Sequence, residues 1–271
     1  MNIPYDLHIH TCLSPCGDDS MTPVNIANMS YLKGLAIIAI TDHNSARNVR
    51  AVIEAAADLP LTVIPGLELN TSEEIHVVCL FPDALSAEKA GVFVESCLPP
   101  VLNKPKIYGN QLVMDKSENI LGEVDRLLIT ASTISIDDVG AFAVEYGGIC
   151  FPAHIDRNSN SIIEVLGTVP DYLGFKVVEI SDPDAFISSA SGASLLDTSY
   201  KFNASVDYSA SGSSSAPGTS GIAAASAASL SGRYHILTNS DAHYLQDIAE
   251  AERVLELPST AFDDIRSFFT F

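Results

Sequence analysis

Leu35 to Thr41 reads Leu-Ala-Ile-Ile-Ala-Ile-Thr, an uncharged run without polar alternation. A strand of that kind must be covered on both faces, which is what parallel α/β sheets do beneath their helices. Its neighbours agree. Tyr5 to His10 is a strand candidate, and Thr22-Pro23 supplies an N-cap and a first-turn proline for a helix to about Lys33, which Gly34 ends. Beyond the run, Ser45 predicts the cap of a helix to about Asp58, and Leu61 to Glu68 and Ile75 to Phe81 read as strands. This β-α-β-α-β order predicts a parallel sheet, open or closed into a barrel. A chain of 271 residues suits one barrel domain with a sizeable core.

The later pattern is less even. Ala87 to Cys97, Ile136 to Tyr146 and Ser159 to Leu166 read as helices, Gly148 to Ala153 and Val177 to Ile180 as strands, and Pro99 to Glu118 as a loop or hairpin. Residues 188–232 stand apart: thirty of these 45 positions are Ser, Ala or Gly, so an atypical segment spans about 185–232 within a single domain over 1–271. It reads as a poorly specified insertion, with a small-residue helix around Ile222 to Leu230 as the other reading. Tyr234 to Thr238 and Ala251 to Leu257 then read as strands and Phe262 to Phe269 as a terminal helix.

Fourteen basic against 34 acidic residues leave a net charge of −20. That predicts no broad electrostatic grip on long nucleic acid or on an anionic membrane, while small phosphorylated substrates or short nucleotides stay open because bound cations invert a local field. No apolar run approaches a membrane span, and the Met-Asn-Ile-Pro start lacks the basic-then-apolar pattern of a signal peptide. Five scattered cysteines (Cys12, Cys16, Cys79, Cys97 and Cys150) read as reduced thiols. The expected location is therefore cytoplasmic.

The seven histidines are placed less evenly than chance would place them. His8 and His10 share one face of the first strand, since residues i and i+2 point the same way. Asp241 and His243 repeat that spacing after a late strand. His43 and Glu68 end the second and third strands, His76 lies in the fourth, and His154 ends the strand after the middle region. Strand ends are where parallel α/β folds build their sites. Imidazole with carboxylate and no thiolate suits Zn, Mn or Fe. His235, inside a strand, has no expected role. Cys12 and Cys16, in the first loop near the ligand motifs, read as ordinary loop thiols, with a ligand or redox role as the other reading. Neither a Gly-rich phosphate loop nor Gly-x-Ser-x-Gly is present, so there is no support for a P-loop or a serine nucleophile.

As a set, Asp-Leu-His-Ile-His-Thr at 6–11, Thr-Asp-His at 41–43, Gly-Leu-Glu at 66–68, His76, Pro-Ala-His at 152–154 and Ser-Asp-Ala-His at 240–243 resemble the PHP (polymerase and histidinol phosphatase) family of metal-dependent phosphoesterases. The resemblance implies an α/β fold of the distorted (β/α)7 TIM-like barrel type and two or three divalent metal ions. It implies one metal on His8, His10, Glu68 and Asp241, a second on Glu68, His76 and His154, and a third on His43, His243 and a first-loop aspartate. Counting back from Pro23 that aspartate is Asp18, with Asp19 as its alternative; here the loop is longer than the family's Ser-Asp-Gly pattern.

Phosphoester hydrolysis through a metal-bridging hydroxide is the implied reaction, with Glu68, Asp241 and Arg157 as the catalytic residues. Arg157, three residues after His154, offers a planar fork to a substrate phosphate, with an ion pair to a nearby acid as its other reading. Asp6 and Asp42, beside the ligand motifs, are expected to orient imidazoles. The substrate class expected is a phosphomonoester or phosphodiester of a small metabolite or nucleotide. The alternatives are a nuclease or oligonucleotide-trimming enzyme, a histidinol-phosphatase-like enzyme, and a metal-binding regulatory module without turnover.

Overall fold

A computed structural model describes residues 1–188 and 234–269 of the chain. Strands β1 (Asn2–Ile9), β2 (Ile37–Ile40) and β3 (Thr62–Asn70) run parallel, as the apolar runs predict. Their crossovers are α1 (Pro23–Leu32) and α2 (Val49–Ala55). Helix α1 starts as read from the sequence, with the Thr22 hydroxyl accepting from Asn25 N and Pro23 in the first turn. Helix α2 starts later than expected. The Ser45 hydroxyl donates to Glu95 instead of capping it, and the helix opens only at Val49.

The next strand reverses direction. Only residues 71–75 separate β3 from β4 (His76–Leu80), too few for a crossover, so the two pair antiparallel with His76 opposite Asn70. The all-parallel sheet predicted from the rhythm is therefore a mixed one. Then come α3 (Ala84–Ser96), α4 (Pro105–Tyr108), the hairpin of β5 (Leu112–Met114) and β6 (Ile120–Glu123), α5 (Ile136–Glu145) and β7 (Ile149–Pro152), which pairs antiparallel with β4. Past α6 (Ile162–Leu166), β8 (Val177–Glu179) and β9 (His235–Leu237) pair in parallel, with α7 (Pro183–Ser188) following β8. β10 (Val254–Glu256) lies antiparallel on the outer edge of β1, and a last helix spans Phe262–Phe268. The helix read at 222–230, and most of the Ser/Ala/Gly segment, lie outside the described residues.

The main sheet curls. Hydrogen bonds from Ile155 N to Glu179 O and from His10 N to Ala242 O join the ends of β7 and β1 to the β8–β9 pair, completing a distorted barrel. Tyr5, Leu7, Ile37, Ala39, Val78 and Phe151 pack on one face of its wall. The other face, with Ile38, Ile40, Leu67 and Val77, meets the helices through Ile26, Val52 and Val139. Burial on both faces explains why these strands read as continuous apolar runs. Among the described residues, no helix is long and apolar enough to cross a membrane.

One rim of the barrel collects the chemistry. The ends of β1, β2, β3, β7, β8 and β9 reach it, and so does the start of β4, because that strand runs the other way. Residues at opposite ends of their strands, such as Glu68 and His76, therefore meet.

Candidate metal centre

Glu68 is the hub. Its side chain is buried, and five imidazoles surround its carboxylate: His43 Nδ1 at 2.8 Å, His76 Nδ1 at 2.9 Å, His8 Nε2 and His154 Nε2 at 3.3 Å, and His10 Nε2 at 3.5 Å. Asp241 forms a second focus, with Oδ1 at 3.0 Å from His10 Nε2 and 3.3 Å from His8 Nε2, and His243 Nδ1 at 3.7 Å. His8 and His10 converge as their spacing predicts, their Nε2 atoms 3.2 Å apart. His243 stacks on His10 with ring centroids 4.2 Å apart. The structure thus brings six of the seven histidines, from five stretches of chain, to one place. His235 is elsewhere, beside Phe268, in line with its having no expected role.

Such a concentration of like donors is costly unless something binds them. Burial alone would raise the Glu68 carboxyl, but His76, His8 and His43 bring it well below the usual range. The two imidazoles of β1 diverge. Burial disfavours charge on both, yet Glu179, Asp241 and Glu68 draw His8 up, while His243 and His43 press His10 further down. His43 Nδ1, Glu68 Oε2, His154 Nδ1 and Asp241 Oδ1 are buried and make no hydrogen bond, although ionic partners lie close. Buried polar atoms are normally satisfied, so this set fits a divalent cation cluster. Ligand atoms gather within 4.8 Å in three groups: His8, His10 and Glu68; His43, Glu68 and His76; and His10, His43 and His243.

Backbone strain marks the same rim. His154 and Asp241 have φ of +28° and +51°, the left-handed region that non-glycine residues avoid. Strain of this kind persists where surrounding structure over-determines it, as at ligand clamps.

The supporting contacts were only half legible. Asp42 orients His10 through a hydroxyl: His10 Nδ1 bonds Ser14 Oγ at 2.9 Å, and Ser14 Oγ donates to Asp42 Oδ1 at 2.7 Å. That relay leaves His10 Nε2 to face the cluster. Asp6 touches no imidazole. Its carboxylate accepts from Ser240 N, Ser240 Oγ and Ala249 N, fixing the loop that carries Asp241 and His243. Glu179 was missed by sequence reasoning altogether. It lies 3.0 and 3.1 Å from His8 Nδ1, accepts from His154 N, and takes a 2.7 Å bond from Asn239 Nδ2. The only signal was an acidic residue ending the apolar pair Val177-Val178. Glu179→Gln is expected to weaken metal binding about 10- to 100-fold, because a carboxylate on the far nitrogen raises ligand basicity and fixes the ring. Chelator competition measures this, and unchanged affinity would remove Glu179 from that role.

The first loop also differs from expectation. Asp18 does not join the cluster; its carboxylate accepts from Ser20 N and Oγ, closing a local turn. Asp19 binds Asn110 Nδ2 at 2.8 Å and stays exposed. Cys16 of the same loop faces His43 and His243. Burial of its thiol works upward, but His43 and His243 opposite bring it to about 6. Cys12 is fully buried beside Met114, away from the histidines. Arg157 pairs with Asp241 at 2.5 Å and keeps a side-chain exposure of 42%, so a nearby acid holds it, and that acid is Asp241. Asp156 is occupied with the amides of Ser181 and Asp182.

A curled α/β barrel with imidazoles and carboxylates gathered on one rim defines a metal-centred barrel protein. The PHP domain family model matches residues 6–118, and over that stretch the chain resembles the PHP family. A 5'-3' exoribonuclease of Haemophilus influenzae is 30% identical over 83 residues, 30% of this chain and 29% of that protein. An uncharacterized protein of Methanocaldococcus jannaschii is 33% identical over 97 residues, 31% of this chain and 56% of the relative. The matches thus span less than two thirds of either relative. Among solved structures, the lesion-specific endonuclease Q of Pyrococcus furiosus superposes over 98% of this chain and 55% of its own, with TM-score 0.54 and 17% identity. An amidohydrolase from Chromobacterium violaceum covers 98% and 96%, with TM-score 0.54 and 16% identity. These likenesses concern the fold.

They also correct one expectation. The charge of −20 argued against long nucleic acid, yet endonuclease Q, matched with TM-score 0.55 and 18% identity, is solved with a 27-mer duplex substrate. Net charge averages over a whole surface, whereas binding follows the local field at a cleft. It is no ground for excluding a nucleic-acid strand from a barrel of this kind.

Proposed function

We propose that the protein is a metal-dependent phosphoesterase acting at a cluster of two or three divalent cations. The observation that carries this reading is the Glu68 carboxylate, buried and within 3.5 Å of five imidazoles. His8, His10, Glu68 and Asp241 would hold one ion, Glu68 with His76 and His154 a second, and His43 with His243 a third. Cys16 takes the place expected of Asp18 in that third group. A soft thiol beside imidazoles favours Zn or Fe over Mg. Bound there, such ions lower the pKa of water and neutralise charge on a phosphoryl group in displacement.

The chain's own residues do the rest. Ser14 with Asp42, and Glu179, fix His10 and His8 so that their Nε2 atoms face inward. Glu68, with imidazoles at both carboxylate oxygens, would contribute to holding two of the ions. Arg157, the cation at the mouth, is placed to receive a phosphate oxygen through its planar fork. The substrate class is a phosphoester of a nucleotide or of a nucleic-acid strand. The exoribonuclease relative and the endonuclease Q fold support that choice over sugar phosphates or histidinol phosphate.

The test is a hydrolysis screen with Mn²⁺, Fe²⁺ and Zn²⁺ over an aryl phosphate, nucleotides, nucleoside bisphosphates, histidinol phosphate, and single- and double-stranded oligonucleotides. Turnover of an aryl phosphate together with a nucleotide or oligonucleotide is expected. Bound metal with no turnover of any phosphoester would instead favour a metal-binding regulatory module.

A further inference from the structure

The stretch between α3 and β5 differs in charge from the rest of the chain. Residues 96–114 contain Lys104 and Lys106 and no acidic residue, in a protein with 34 of them. Lys104 and Lys106 are exposed and form no ion pair among the described residues. Next to them Ile107 and Tyr108 are exposed at 68% and 41%. Elsewhere several basic side chains are engaged by acids: Arg47 with Glu95, Arg50 with Glu88, Lys33 with Glu250 and Arg157 with Asp241.

The stretch is pinned beside the metal centre. Gly109 has φ of +98°, and a Cβ there would run into the carbonyl oxygen of Pro15, the residue before Cys16. Asn110 Nδ2 bonds Asp19, and Leu112 N donates to Cys12 O at 2.9 Å. Asn103 Nδ2 donates to Gly109 O at 3.0 Å and closes the turn. Two unpaired ammonium groups and an aromatic ring are therefore held on a stretch packed against the first loop, whose Cys16 faces His43 and His243. Spaced cations with an exposed ring are what single strands are bound by: phosphates on the lysines, a base on the ring.

We propose that Lys104, Lys106 and Tyr108 form a shelf that binds the substrate strand beside its scissile phosphoester. This deepens the phosphoesterase reading and rests on it. The shelf makes the site prefer a nucleic-acid strand to a small phosphate ester.

The test uses the metal-loaded full chain, a fluorescent single-stranded ten-nucleotide oligomer and an aryl phosphate. Lys104→Ala with Lys106→Ala, and separately Tyr108→Ala, are expected to raise KM for the oligomer by about tenfold each, lowering the oligomer-to-aryl-phosphate ratio of kcat/KM by a similar factor. For the double variant, the slope of log KM against log salt should flatten by about 1.4, two phosphates at about 0.7 each for a single strand. Lys89→Ala, on α3, serves as the charge control and is expected to leave KM within about twofold. Thermal melts confirm folding. An unchanged ratio and salt slope, with aryl phosphate still hydrolysed, would overturn the shelf while leaving the phosphoesterase reading in place. Hydrolysis of neither substrate would overturn that reading and the shelf with it.

Discussion

Glu68→Gln is expected to strip the protein of most of its bound metal and to lower phosphoester hydrolysis at least about a thousandfold. The substitution keeps shape and volume, so the barrel wall around Leu67 and Leu69 stays packed. What changes is charge and donor pattern. A carboxylate offers lone pairs on both oxygens, and here both face imidazole nitrogens, Oε1 toward His8, His76 and His154 and Oε2 toward His10 and His43. An amide replaces one oxygen with an NH₂ that cannot ligate, and it removes the single negative charge at the centre. Among the described residues, no other carboxylate pairs with the ring of His76 or His154. Elemental analysis and single-turnover rates on the same sample check this. Full metal content with near-normal turnover would place the bridging role on another residue.

Metal removal is the second large effect. Four buried atoms of the cluster make no hydrogen bond, and each such group costs about 1–3 kcal/mol when left unpaired. Ligand binding to the native state alone adds about 4 kcal/mol at a concentration a thousandfold above Kd. At about 2 °C per kcal/mol for a chain somewhat over 250 residues, chelation should lower Tm by about 8 °C or more. Readdition of Zn²⁺ or Mn²⁺ should restore it. Calorimetry with and without chelator is the measurement, and an unchanged Tm would mean that the cluster satisfies itself without cations.

Much of this cluster was legible because its imidazoles and carboxylates are tied to strand ends. His8 and His10 needed only the period of two, and His43, Glu68, His154 and the Asp241–His243 pair needed only the recognition that apolar runs end there. The direction of β4 was harder to read. Continuous apolar strands look alike in either direction, and the short 71–75 link was the one local sign that β4 turns back. His76 could be placed near the site without that knowledge, but its meeting with Glu68 depends on it. Glu179 escaped because its contact is long-range, whereas for Cys16 the spacing to Cys12 gave no sign that it faces His43 and His243. Glu179 reaches a histidine 171 positions away, and neither residue belongs to a motif with a spacing of its own. Asp18 lies beside the site, its amide donating to His243 O, while its carboxylate is turned to its own loop. An aspartate two residues before a serine binds that residue's amide as readily as a metal, and the local turn wins in this loop.

Charge was the least reliable guide. A sum of −20 says nothing about where the acids are, and 96–114 has none of them.

Anomalous diffraction from crystals of the full chain grown with Zn²⁺ or Mn²⁺ tests the central claim most directly. The expected result is two or three peaks among His8, His10, His43, Glu68, His76, His154, Asp241 and His243, one of them near Cys16, with ligand distances of about 2.0–2.3 Å. Peaks only at surface sites, with the side chains around Glu68 unmoved and bonded only to each other, would contradict it.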